Sequence, residues 1–219
     1  MTRLGSLVSC ALLGAALLGC GSNASSGGGG ATSALALIPA DNGIAGWKFD
    51  NSNSNLANGT VTATTEKATE GYIDGAAADF FAAPNNPVQF AWQNYLNTTI
   101  STADTSTGAP DPYFPNGATV TLYVLQMPSA TQASGLYTSL RIASLYDGKN
   151  WVEPSSPEVG TDSRIADTGD HWWINFYKGN YYVEVSLGPS YNPGPTYTAG
   201  NTVTQAAAYA FAQAIAAKI

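Results

Sequence analysis

The sequence predicts one α+β domain over residues 34–219, a mainly antiparallel sheet with about three packed helices. Three observations predict it. Strand-like runs cluster between helical stretches instead of alternating singly with them. Two such runs flank the turn dipeptide Gly179-Asn180, and the chain ends in an alanine-rich amphipathic segment. A domain of about 185 residues can bury a core without disulfides.

Residues 1–33 stand apart from that domain. Arg3 gives a short positive start, and Leu4 to Leu18 form an apolar run of about 15 residues, short of the ~20 that span a bilayer as a helix. The run ends Leu17-Leu18-Gly19-Cys20, which resembles the lipobox of bacterial lipoproteins. The resemblance implies that residues 1–19 are a signal peptide. It further implies that Cys20 becomes the mature N-terminus, carrying a diacylglyceryl thioether and an N-acyl chain such as palmitate. Two or more acyl chains hold a protein stably at a bilayer, at about 0.8 kcal/mol per buried CH₂. An ordinary secretory signal beside a chance cysteine is the competing reading. Residues 20–33 follow as a Gly/Ser-rich tether, too poor in apolar side chains to order itself. In such lipoproteins Gly21 after the cysteine, in place of Asp, implies the outer membrane if the cell has one.

Leu35, Leu37 and Ile38 before Pro39 predict a docking segment, and Trp47-Lys48-Phe49 a short strand. Asn58-Gly59 marks a tight turn, after which residues 60–65 are mostly β-branched and extended. From about Glu66 to Ala82, Tyr72, Ala76 and Phe80 recur every four residues beside Ile73, Ala77 and Phe81, the stripe of one helix that Pro84 stops. Val88, Phe90, Trp92 and Leu96 alternate with Gln89, Gln93 and Asn97, which predicts a strand with one face in the core and one in water.

Residues 101–117, with Ser, Thr, Pro and Asp throughout, read as a loop. Thr119 to Met127 reads as a strand covered on both faces. Ser129 and Gln132 have the spacing of a capping box for a second helix, which carries Ala133, Leu136, Tyr137 and Leu140 inward and ends by Asp147-Gly148. The turn at Gly179-Asn180 predicts a hairpin register in which Lys178 faces Tyr181, Phe176 faces Val183, Ile174 faces Val185 and Trp172 faces Leu187. The other face of that hairpin carries His171, Trp173, Asn175, Tyr177, Tyr182, Glu184 and Ser186. Asn201 or Thr202 is expected to cap a last helix through Val203, Ala207, Phe211 and Ile215.

The composition narrows function. Charged residues are only 11% and the formal net charge is −7, so nucleic acid and anionic lipid headgroups are disfavoured as partners. Loss of residues 1–19 removes Arg3 and no acid, leaving a formal −8. One histidine, with Cys10 and Cys20 both in the first twenty residues, supplies no metal motif, thiol catalysis or disulfide framework. No cofactor is indicated either.

Tyr72-Ile73-Asp74-Gly75-Ala76-Ala77 resembles the Tyr-Ile-Asn-Gly-Gly-Ala segment of an uncharacterised bacterial family of exported and lipid-anchored proteins. Residues 120–141 and the hairpin Phe176 to Tyr182 are similar to later segments of that family, so the likeness spans about residues 35–219. Asp74 stands where Asn is usual, and Asp79 is shifted relative to the usual Ala-Glu. The family implies boundaries and no reaction.

Candidate chemistry is sparse. His171 lies beside Asp167 and Asp170 with Ser186 across the hairpin, but no nucleophile elbow accompanies them. Asp74 and Asp79 are five apart, off the i, i+4 line that would pair them for glycoside hydrolysis. Asp162, Asp167 and Asp170, or Asp104 and Asp111, lack calcium-loop spacing and read as solvated loop acids. Trp173, Tyr177 and Tyr182, with Asn175 and Glu184, have the makings of an aromatic platform for a sugar ring, provided they are exposed together. The preferred reading puts a helix over that face as a second core layer. The functional expectation is a lipid-anchored cell-envelope protein acting as a non-catalytic binding or accessory module, with an envelope protein or glycan as partner. An envelope enzyme acting on glycan through Asp167, Asp170, His171 and Glu184 is the alternative.

Overall fold

A computed structural model describes residues 32–50, 61–73, 77–82, 84–97, 118–140, 149–169, 171–189 and 203–219. The predicted lipidation site Cys20, the tether up to Ala31, and the loop acids Asp104 and Asp111 lie outside these residues, as do Asp74 and Asp170. Residues 32–219 form one unit.

The core of that unit is an antiparallel sheet of eight strands, α+β in class as its sequence predicts. The strands are β1 (Lys48–Phe49), β2 (Val61–Ala63), β3 (Gln89–Asn97), β4 (Ala118–Gln126), β5 (Trp151–Val152), β6 (Asp162–Asp167), β7 (Trp172–Lys178) and β8 (Tyr181–Pro189). They lie in the order β1-β3-β4-β8-β7-β6-β5, with β2 also paired to β3. The helices are α1 (Ala34–Leu37), α2 (Glu66–Ile73), α3 (Ala77–Phe81), α4 (Ala130–Leu140) and α5 (Gln205–Ala216).

The sheet is buried on both sides. Val120, Leu122, Val124, Ile174, Phe176, Val183, Val185 and Leu187 face α1 and α5, together with Trp47, Tyr95, Phe211 and Ile215. Phe90, Trp92, Leu125 and Tyr182 face α2, α3 and α4, against Ile73, Phe80, Leu136 and Tyr137. The β7–β8 register is the one the turn predicts, with Lys178 opposite Tyr181 and Trp172 opposite Leu187. Gly179 holds the turn at φ +54°, a left-handed conformation that costs glycine little.

Several expectations need correction. β3 has no wet face: Gln93 and Asn97 are as buried as Phe90, because β3 sits inside the sheet between β1 and β4 with helices on both sides. The acids Asp162 and Asp167 belong to strand β6, so they are not loop residues. The helix expected over 66–82 is described as α2 and α3, with residues 74–76 between them, and so its continuity there, outside the described residues. The N-cap of α5 is Thr204, whose hydroxyl accepts from Ala207 N at 3.2 Å, while Asn201 and Thr202 lie outside the described residues. At α4 the Ser129 hydroxyl accepts from Gln132 N at 3.2 Å and Gln132 reaches back as expected, though its Oε1 accepts from the Ser129 hydroxyl at 2.9 Å while its Nε2 donates to Pro84 O at 3.0 Å. The described part of α4 ends at Leu140, and the expected end at Asp147-Gly148 lies outside the described residues.

Side chains tie the termini to the hairpin. Asn180 Nδ2 donates to Met127 O at 2.9 Å, Lys178 Nζ donates to Ala216 O at 2.7 Å, and the Tyr181 hydroxyl donates to Thr32 O. Lys218 Nζ bonds the carbonyls of Leu37 and Ile38 at the end of α1. Both lysines meet carbonyls left open at helix ends, where a cation is favoured.

Candidate functional site

Antiparallel register lines up one polar row on the face that α4 covers. Arg164 of β6 is opposite Asn175 of β7, Asn175 is opposite Glu184 of β8, and Glu184 is opposite Tyr123 of β4. Residues directly opposite have Cβ atoms about 5 Å apart, so the four side chains are consecutive neighbours across four strands. The flanking row runs Asp162, Tyr177, Tyr182, Leu125.

This row is shut off from water. Arg164 and Asn175 are 0% exposed and Glu184 is 2% exposed. The Arg164 guanidinium carbon sits 4.5 Å from the centroid of Tyr137 and 5.0 Å from that of Trp151. Such contacts favour the cation through the ring quadrupole. None of the three guanidinium nitrogens has a hydrogen-bond partner, and neither polar atom of the Asn175 amide has one. Around them, the Tyr137 hydroxyl donates to Glu153 Oε1 at 2.7 Å and the Tyr182 hydroxyl to Glu184 Oε2 at 3.3 Å. Lys149 Nζ lies 4.5 Å over the Trp173 ring.

Electrostatics follow from burial. Burial and then Glu184 push the Tyr123 phenol above its usual range. Burial, the hydrogen bond to Glu153 and the charges of Glu153 and Asp162 do the same to Tyr137, against an opposing effect of Arg164. Burial lowers the Lys149 ammonium, and Glu184 partly offsets it.

The five residues named from sequence for ligand contact, Trp173, Asn175, Tyr177, Tyr182 and Glu184, are on one face and adjacent in register. They do not form an open platform: Tyr182, Asn175 and Glu184 are buried, Trp173 and Tyr177 half-buried, and α4 packs on β7 and β8 there. His171 stacks on Trp173 at 6.1 Å, and its ring fills the space a side chain at Gly188 would take. Asp167 pairs in register with Trp172, whose neighbour across β8 is the core residue Leu187, so it lies on the opposite face from Glu184. Its carboxylate accepts from Gly169 N at 2.8 Å. The proposed enzyme set Asp167, Asp170, His171 and Glu184 is therefore not drawn together, Asp170 being outside the described residues. Ser186 is opposite Trp173, one row from Glu184.

Arg164 is the residue sequence reading missed. Asp-Ser-Arg-Ile-Ala-Asp has little apolar content and reads as loop; only the pairing with β7 makes it a strand and carries Arg164 inside. No group of three or more His, Cys, Asp or Glu side chains among the described residues is placed to hold a metal ion. No helix among them is long and apolar enough to cross a membrane. No family model, curated protein or solved structure matches the chain.

Proposed function

We propose that the chain is an exported protein anchored through acyl chains on Cys20, and that its α+β domain is a non-catalytic binding or accessory module at the cell envelope. The observation that carries the anchor is the tetrad Leu17-Leu18-Gly19-Cys20 closing an apolar run too short to span a bilayer. Beyond it the composition turns to Gly and Ser up to Ser33, whose hydroxyl accepts from Ala36 N at 3.3 Å at the start of α1. With that arrangement hydrocarbon supplies the membrane affinity, and the acidic body needs no apolar surface of its own for it. An outer-membrane address follows from Gly21 where the cell has one.

A binding role is favoured over a catalytic one by the row Arg164–Asn175–Glu184. It offers hydrogen-bonding capacity, while of the acids named for acid–base work Asp167 lies on the face opposite Glu184. Metabolic labelling with a fatty acid tests the anchor. Label is expected in the wild-type chain and absent from Cys20→Ala; equal labelling of both sinks the proposal. Capture from envelope extracts with the full chain in detergent tests the binding role, and recovery of a catalytic product instead of a bound partner refutes it.

A further inference from the structure

We propose that the buried Arg164–Asn175 pair is the receptor for a neutral polyhydroxylated ring, a sugar, held by hydrogen bonds to the guanidinium and the amide. The inference rests on the binding-module reading and names its ligand class. A guanidinium carries five N–H donors and stays charged, and an Asn amide adds two donors and an acceptor. Here these groups are fully buried and unpartnered, and they are neighbours in register. Leaving such atoms dry costs about 1–3 kcal/mol each, and proteins seldom tolerate it without an occupant. Tyr137 and Trp151 answer the charge of Arg164 but spend none of its donors.

The surrounding charges select the ligand. Glu153 holds the Tyr137 hydroxyl, Asp162 acts on the same phenol, and Glu184 follows Asn175 in the row. These three carboxylates outnumber Arg164 and Lys149, so a further anion would enter a net negative environment. What the pair lacks is oxygen acceptors for its N–H groups and one donor for Asn175 Oδ1. Hydroxyl groups supply both. Trp151 is only half-buried and stands on a two-residue edge strand. Arg164 and Asn175 are closed over, so a sugar reaches them only once the indole of Trp151 against the guanidinium has moved aside.

The test uses the full chain in detergent, titrated calorimetrically with a panel of neutral hexoses and N-acetylhexosamines, with inorganic phosphate as a parallel arm. Saturable one-to-one binding of at least one sugar is expected. Arg164→Met and Asn175→Leu should each weaken it about tenfold or more. Arg164→Lys keeps the charge and loses the planar fork, so it should weaken binding while circular dichroism shows the fold intact. The exposed Glu158→Gln should change nothing. The proposal is overturned by an absence of binding to every sugar up to about 10 mM, by phosphate binding in place of sugar, or by sugar affinity unchanged in the three variants. Retained fatty-acid labelling at Cys20 and a captured envelope partner alongside such a result would remove the sugar site and leave the anchored binding module standing.

Discussion

At the residue scale, Arg164 sets the sharpest expectation. Desolvating an ion costs several kcal/mol in a protein interior, whereas cation–π contacts return about 1–2 kcal/mol. Arg164→Met keeps most of the side-chain volume and removes that cost, so ligand-free stability should be unchanged or higher by about 1 kcal/mol or more in urea unfolding. A loss of more than about 1 kcal/mol would mean that Glu153, Asp162 and the two rings already compensate the guanidinium. Gly160 predicts the opposite sign. Its φ is +76°, and a Cβ there would stand 2.6 Å from Tyr177 O and 2.8 Å from the Phe176 ring. Backbone strain and overpacking together should make Gly160→Ala destabilising by about 3 kcal/mol in the same assay. Near wild-type stability would show that the turn can relax away from β7.

At the element scale, the β7–β8 hairpin could be read residue by residue, and β6 could not. Alternation in Ile174, Phe176, Val183, Val185 and Leu187, together with a glycine in the turn, determines both the register and the buried face. β6 has only Ile165 and Ala166 as apolar residues, and its burial comes entirely from neighbours. The candidate site was legible to the same extent. Asn175, Tyr177, Tyr182 and Glu184 were visible as one face of the hairpin, while Arg164, which supplies most of the row's unspent donors, was not. α5 gives a simple check on its observed start. Thr204→Ala removes the side-chain acceptor for Ala207 N and should cost about 1 kcal/mol, read as a lower urea midpoint. No change there would place the effective cap elsewhere.

At the scale of the whole molecule, buried phenols control the alkaline limit. Tyr95, Tyr123 and Tyr137 are raised above the ordinary value of 10.0 chiefly by burial, with Asp41, Glu184 and Glu153 adding to it respectively. An acid whose folded value is raised holds its proton in the folded state after the unfolded state has lost it. Its stabilisation is complete below the unfolded value near 10 and is lost as pH climbs toward the folded value. Lys149 runs the other way: its folded value is lowered, so its contribution rises with pH between the folded and unfolded values. Burial also raises Tyr181 and lowers Lys218, so four phenols against two ammoniums should make stability fall above about pH 10. Tyr95→Phe and Tyr123→Phe should each flatten that fall in unfolding curves taken from about pH 8 to 11. An equally steep fall in both variants would show that these phenols do not govern it.

The chain alone determined its local features: a lipobox-like tetrad before a Gly/Ser stretch, a hairpin with one register, an alanine-rich closing helix and an acidic composition. Each rests on contacts between residues close in sequence, or on composition, and needs no knowledge of the neighbours. Tertiary structure decided which faces see water. Gln93 and Asn97 are buried because β3 became an interior strand, and Arg164 because β6 docked on β7 under Tyr137 of α4. Burial is set by what packs on a residue from distant parts of the chain, and polar side chains carry no local periodicity that announces it.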